Sequence, residues 1–302
     1  MPTTFDGRAA ARGARTGRVS TDQPPTLSVI VPAFNEEARL PDTLWRIRQF
    51  CDGRGHAYQV LVVDDGSRDR TWSLAKKVEA SWPEMQVISL PENQGKGAAV
   101  MVGMLAARGA RRLFTDADLS TPIGEVVKLE AELDRGAGIA VGSRSVLDSM
   151  VARHQPPYRE FVGRIYNCLL RRLVLPELRD TRCGFKLFTA EAAAVCFAQL
   201  ECLRFGFDAE VLVRARAAGI RVAEVGVVWR HANGTRVRPF ADSGAMLVDL
   251  WLLHQRLRAA AQQGCSRSIP WESTRVGTTA GGATTVAPAN AAAHCRATGA
   301  HD

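Results

Sequence analysis

The chain lacks any apolar run near the ~18 residues that a membrane-spanning helix needs. Its longest, AAVMVGMLAA (98–107), has the length of a core helix. It also lacks a C-x-x-C pair: its seven cysteines, at 51, 168, 183, 196, 202, 265 and 295, are scattered and odd in number. That argues against a disulfide framework and against structural zinc, and it fits reduced thiols in a cytosol-like compartment. No G-x-G-x-x-G follows the first strand-like run, which argues against a dinucleotide-binding dehydrogenase. A G-x-x-x-x-G-K-[ST] P-loop is missing too, because Gly97 follows Lys96 and position 90 is Leu. There is no internal repeat and no aromatic–basic RNA motif, so no nucleic-acid partner is expected. The opening segment carries Arg8, Arg12, Arg15 and Arg18 without an apolar stretch after them, and does not read as a secretory signal.

What is present suits one large domain with a sizeable core: 302 residues, 46% of them hydrophobic. The formal charge of +8 favours an anionic partner, either a phosphate-bearing substrate or a membrane surface. Composition divides the chain into a disordered basic tail (1–24), a domain (25–260) and a second disordered tail (261–302) rich in Ala, Thr and Gly.

Within the domain, strand-like and helix-like segments alternate. Strands are expected at 27–34, 58–65, 85–90, in RRLFTDAD (111–118) and at 138–144, with helices over 40–50, 71–82 and 97–108 between them. This pattern gives an α/β fold with a mostly parallel central sheet flanked by helices. In the second half, 157–175 reads as a basic amphipathic helix, CGFKLFT (183–189) and 221–229 as strands, and 208–218 and 241–258 as helices.

Ligands of open α/β sheets collect beyond the carboxyl ends of the strands. Three such ends carry acids here: Glu36 and Glu37 after the first strand, Asp64 and Asp65 after the second, and Asp116 and Asp118 after the fourth. Side chains two apart on an extended chain point the same way, so Asp116 and Asp118 can converge. Two carboxylates at one point want a hard cation, Mg²⁺ or Mn²⁺, which fills its remaining positions from water and phosphate. The competing role is capping of a helix that starts near Pro122, for which Ser120 or Thr121 would also serve. Gly95, Lys96 and Gly97 stand at another strand-to-helix junction, suited to a phosphate or sugar.

Taken in order, SVIVPAFNEEARLPDTL, VLVVDDGSRDRT, NQGKGAAVMVGMLAARG, FTDADLSTP, GSR and DTRCGFKLF resemble inverting family-2 glycosyltransferases of GT-A fold. Within them the chain looks most like polyprenyl-phosphate glycosyltransferases, the dolichyl-phosphate β-glucosyltransferases above all. FGFDAEVLVRARAAGIRVAEVGVVWRHANGTRVRP and MLVDL extend the likeness to about residue 250.

The resemblance implies an enzyme, a hexosyltransferase moving glucose from an NDP-sugar to a polyprenyl or dolichyl phosphate. It further implies a cytoplasmic protein held peripherally at the inner face of the membrane. It assigns Pro32, Phe34 and Glu36 to the nucleotide, with Glu37 a near neighbour, and Asp65 to the base. Asp116, Ala117 and Asp118 fall at the diphosphate, the two carboxylates through the metal, and Arg144 at a donor or acceptor phosphate. Two departures bear on sugar identity: Arg182 where the family often has Gln, and Gly234-Thr235-Arg236 where close relatives read GSK.

Other readings stand beside this one. A glycosyltransferase with a hydroxyl acceptor would need a general base, and Asp208 lies where such relatives keep theirs; alternatively Asp208 only faces a helix dipole. A polyprenyl-phosphate mannosyltransferase shares the motifs. A nucleotidyltransferase and a non-catalytic sugar-nucleotide-binding protein are the more distant rivals.

Overall fold

The computed structural model describes residues 24–145, 150–153, 178–204 and 206–230, with Gln255 alone beyond them. The expected helices at 157–175 and 241–258, Gly234-Thr235-Arg236 and the two tails lie outside the described residues.

The first half alternates as its apolar runs require. β1 (Leu27–Ala33) leads to α1 (Leu40–Arg54), β2 (Tyr58–Asp64) to α2 (Thr71–Glu79), and β3 (Met85–Ser89) to α3 (Lys96–Ala106). β4 (Arg111–Thr115) then leads through a 3₁₀ turn (Ile123–Glu125) into α4 (Val126–Asp134), and β5 (Ile139–Ser143) follows. After β6 (Met150–Arg153) come β7 (Phe185–Thr189), α5 (Ala190–Phe197), α6 (Phe207–Ala217), β8 (Val222–Gly226) and β9 (Val228–Arg230).

Seven strands form one sheet in the order β3-β2-β1-β4-β7-β5-β8, and β6 pairs with β9 in a separate parallel ladder. β7 is antiparallel to both β4 and β5; the other pairs of the large sheet are parallel. Burial on both faces explains the continuous apolar runs. One core packs Ile30, Leu61, Val63 and Phe114 under α3, α5 and α6. The other packs Val29, Val31, Val60, Val62 and Leu113 under α1, α2 and α4.

Three local features differ from the sequence reading. The run 221–229 is two strands: β8 joins the large sheet, and after Val227 the chain turns off to pair with β6. α5 was not expected; it begins where Thr189 Oγ1 accepts from the Ala192 N–H at 3.1 Å, an ordinary N-cap. Pro32 sits inside β1 without breaking it. Ala33 O accepts from Asp65 N on the β2 side, so Pro32 turns toward β4, whose pairing has ended at Ile30–Phe114.

Candidate active site

The ends of β1 and β2 are laced together. Asn35 N donates to Ser67 Oγ (2.8 Å), Arg68 N to Asn35 Oδ1 (2.7 Å), and Glu36 N to Thr71 Oγ1 (2.7 Å). Glu37 accepts from the Arg70 backbone and side chain at 3.1 Å. Asn35 takes a left-handed backbone (φ 54°), which this short polar side chain tolerates. Glu36 turns to Arg39, whose Nε and Nη2 reach its two carboxylate oxygens at 2.6 and 2.5 Å. That fork leaves Arg39 Nη1 buried without a hydrogen-bond partner, 3.8 Å from Asp118 Oδ2.

The alternation of β2, continued one residue past its end, sends Asp64 and Asp65 to opposite faces. Asp64 follows Val60 and Val62 to the α2 side, where a cleft of about 390 Å³ opens between Ser67, Trp72, Ser89 and Pro91. Asp116 and Asp118 do not line that cleft. Asp65 faces the α3 side and is nearly fully buried. Its carboxylate accepts from Gln94 N (2.8 Å), Gly95 N (2.9 Å) and Asn93 Nδ2 (2.9 Å). Burial raises its pKa, and those backbone bonds partly oppose the rise. The turn depends on Gly66 (φ 67°): a Cβ there would lie 2.7 Å from the Glu92 carbonyl carbon.

Beyond β4 the chain leaves the sheet at Asp116. Ala117 is buried, and its carbonyl accepts from Thr43 Oγ1 of α1 at 2.6 Å. Asp116 and Asp118 are only half-buried. Asp116 Oδ1 pairs with Lys96 Nζ at 2.5 Å, from the first residue of α3. Asp118 Oδ1 accepts from Ser120 N at 2.9 Å, so it closes a turn but caps no helix; neither Ser120 nor Thr121 caps one. Lys96 and Arg39 each interact electrostatically with both carboxylates, although β4 ends at Thr115 and Ala117–Asp118 form a turn, not the extended strand end expected to align them. Gly184 makes room for Asp116: a Cβ there would lie 2.1 Å from Asp116 Oδ2.

Two further ion pairs back the site. Arg144 grips Asp180 through Nε (2.7 Å) and Nη2 (3.0 Å), and its guanidinium lies 5.4 Å from the Trp229 ring centre. Glu224 of β8 accepts from Asp180 N at 2.8 Å and fixes that segment. Burial alone would raise the Asp180 pKa, but Arg144's charge and hydrogen bonds bring it down to about 2. Behind Lys96, the fully buried Lys186 donates to Cys183 O (2.9 Å) and to Asp208. Both lysines border Phe114, with Nζ atoms 5.9 Å (Lys96) and 5.1 Å (Lys186) from its ring centre.

The residues fit a hard divalent cation. Two half-buried carboxylates offer oxygen, and the missing Cβ of Gly184 lets Asp116 stand where it does. Among the described residues no group of three or more His, Cys, Asp or Glu makes an all-protein cage. Mg²⁺ and Mn²⁺ accept such a partial shell when phosphate completes it.

The sequence-derived candidates thus divide. Asp116, Ala117, Asp118 and Lys96 come together at the end of β4. Asp65 holds the loop before α3, Glu36 is engaged by Arg39, and Arg144 by Asp180. Pro32 is buried and Phe34 half-buried at the end of β1. Sequence reasoning missed Arg39, Asp180 and Lys186. Arg39 stands three residues after Glu36, a spacing that allows a helical-turn pair; nothing in the sequence marks the partners of the other two.

Comparison with known proteins bears on the family and the fold. Residues 28–197 match the model of Glycosyl transferase family 2. A dolichyl-phosphate beta-glucosyltransferase of Drosophila melanogaster is 38% identical over 78% of this chain and 76% of its own. One of Mus musculus is 36% identical over 83% of this chain and 82% of its own. Among solved structures, glucosyl-3-phosphoglycerate synthase from Mycobacterium tuberculosis, in complex with Mn²⁺, UDP-glucose and phosphoglyceric acid, superposes with a TM-score of 0.56. It is 20% identical and covers 76% of this chain and 80% of that one, a likeness of fold. The chain belongs to glycosyl transferase family 2.

Proposed function

We propose that this glycosyltransferase moves glucose from a nucleoside diphosphate sugar to a polyprenyl phosphate of the dolichyl class, inverting the anomeric carbon. The sugar and lipid follow the names of the relatives that match most of its length. The geometric observation that carries the acceptor class is the Lys186–Asp208 pair. A hydroxyl acceptor needs a base, and the carboxylate at that place is bonded to a buried lysine. A phosphate monoester has its second pKa near ~6 and needs no base at neutral pH.

In this reading an acceptor phosphate oxygen forms the new bond to the anomeric carbon. The old C–O bond breaks, and its electron pair leaves on the diphosphate. Asp116 and Asp118 would hold a divalent cation; the fold neighbour was solved in complex with Mn²⁺. Such an ion supplies neutralisation of the charge growing on the leaving group. Asp65 shapes the loop that receives the base. Arg144, held by Asp180 through Nε and Nη2, would meet a phosphate with its remaining Nη1 edge.

No helix among the described residues is long and apolar enough to cross a membrane. The lipid would be met at the surface, on the cytoplasmic side, through the basic amphipathic stretch 157–175 and the apolar face of 241–258. The test is incubation with radiolabelled UDP-glucose, other NDP-sugars and polyprenyl phosphate, followed by organic extraction. Label from UDP-glucose in the lipid phase is expected. Label that stays aqueous with every donor would overturn the acceptor, and a preference for GDP-mannose would overturn the sugar.

A further inference from the structure

Each carboxylate of the Asp116-Ala117-Asp118 turn is accompanied by a cation from a different element. Lys96 reaches Asp116 from the start of α3, with its Nζ also 6.0 Å from the Phe207 ring centre. Arg39 approaches Asp118 from the turn before α1. The two contacts differ in kind. Lys96 makes a direct pair at 2.5 Å, whereas Arg39 Nη1 lies 3.8 Å away, too far for a hydrogen bond. Glu36 occupies the other edge of the guanidinium, so Nη1 is a buried donor on a fixed fork with nothing to bond. Buried donors of that kind ask for an explanation, and a phosphate oxygen is a suitable acceptor.

Charge counting gives the same direction. Three carboxylates, Asp116, Asp118 and Glu36, face the two cations Lys96 and Arg39. A divalent ion entering alone would reverse the sign of that cluster's net charge. The same ion entering with the two negative charges of an NDP-sugar diphosphate leaves the balance unchanged.

We propose that Lys96 and Arg39 form a two-cation lock on Asp116 and Asp118. In the donor-free protein they compete with metal for the carboxylates; when metal and donor enter together they pass to the diphosphate oxygens. Lys96 keeps Asp208 as a second electrostatic partner throughout, so its charge is never left alone. The lock makes metal binding depend on the nucleotide. It rests on Asp116 and Asp118 being the metal ligands, but not on the identity of sugar or lipid.

The lock predicts an inverse effect that loss of structure would not produce. Mn²⁺ binding to the full chain is followed by the paramagnetic resonance signal of free Mn²⁺, first without nucleotide and then with UDP. Wild type is expected to bind Mn²⁺ weakly alone and much more tightly with UDP. Lys96→Met and Arg39→Gln should each bind Mn²⁺ alone roughly tenfold more tightly than wild type, about 1.4 kcal/mol, while losing part of the UDP enhancement. Asp118→Asn should remove the site in every background. Folded variants that bind Mn²⁺ alone no better than wild type overturn the lock, as does Mn²⁺ binding that survives Asp118→Asn. Should Lys96→Met not fold, Arg39→Gln decides alone. The measurement contains neither sugar nor lipid, so its failure and a failure of glucosyl transfer are told apart.

Discussion

Gly184→Ala is a one-carbon test of where Asp116 must stand. The added Cβ would lie 2.1 Å from Asp116 Oδ2, 2.5 Å from its Cγ and 2.7 Å from Oδ1. A carbon and an oxygen in contact need roughly 3.3 Å, so the carboxylate must move by about 1 Å or more. The backbone at Gly184 is not left-handed, so alanine brings no strain of its own there. Asp116 is half-buried and can swing toward solvent at an off-rotamer cost of about 0.5–1.5 kcal/mol. With a weakened Lys96 pair, the expected stability loss is about 1–3 kcal/mol, which leaves the protein folded. Catalysis is less forgiving: a displacement of that size costs roughly 10²-fold, about 2.7 kcal/mol of barrier. The assay is kcat/KM for sugar transfer beside the thermal midpoint. Gly124→Ala is the control, since its Cβ would meet only the Phe50 ring at 3.9 Å. If Gly184→Ala stays within about threefold of wild type, the placement of Asp116 as a group at the reacting diphosphate is wrong.

Three further perturbations address the neighbouring residues. Asp65→Ala unpairs the N–H groups of Gln94 and Gly95, so UDP affinity by calorimetry should fall roughly tenfold or more while acceptor KM changes little; an unchanged UDP affinity would refute the role of this loop. Asp208→Asn should lower stability by about 3 kcal/mol through Lys186, yet reduce kcat by less than the roughly 10²–10⁴-fold of a lost general base and leave the pH–rate profile in place. A larger loss, with disappearance of an acid limb, would restore Asp208 as a base and the hydroxyl acceptor with it. Asp180 has its pKa lowered to about 2, against roughly 3.9 unfolded. Its contribution is therefore complete above pH 4 and lost as pH falls through about 2, on the order of 2 kcal/mol. In urea unfolding, wild type should exceed Asp180→Asn at neutral pH and the gap should close between pH 4 and 2; a gap independent of pH would refute the pairing.

The strands of the first half could be read because each is buried on both faces and therefore apolar without interruption. Direction is another matter. FKLFT is as apolar as its neighbours whichever way it runs, so nothing in it announces that β7 enters antiparallel between β4 and β5. The break between β8 and β9 is equally silent, since VGVVW carries neither proline nor a charge at Val227. Asp116 and Asp118 were legible for a local reason, two carboxylates at one strand end with spacing two.

Lys96 was legible as a candidate at its strand-to-helix junction, but its pairing with Asp116, like that of Arg39 with Asp118, is a property of the closed sheet. β1 and β4 are neighbours, which brings the turn holding Arg39 beside Asp118. The end of α3 nearest the site presents Lys96 to Asp116. A basic chain offers many arginines, and sequence alone cannot choose among them; topology can. The same reasoning separates the two acids that end β2. Alternation was enough to send Asp64 and Asp65 to opposite faces, but only the fold decides that the α3 face is the one shared with Asp116. A residue's chemistry can therefore be read from its type and spacing, while its partner is set by which strand lies next. That is why Glu36 could be expected near the nucleotide and yet be found fastening Arg39, the cation whose remaining edge is turned to Asp118.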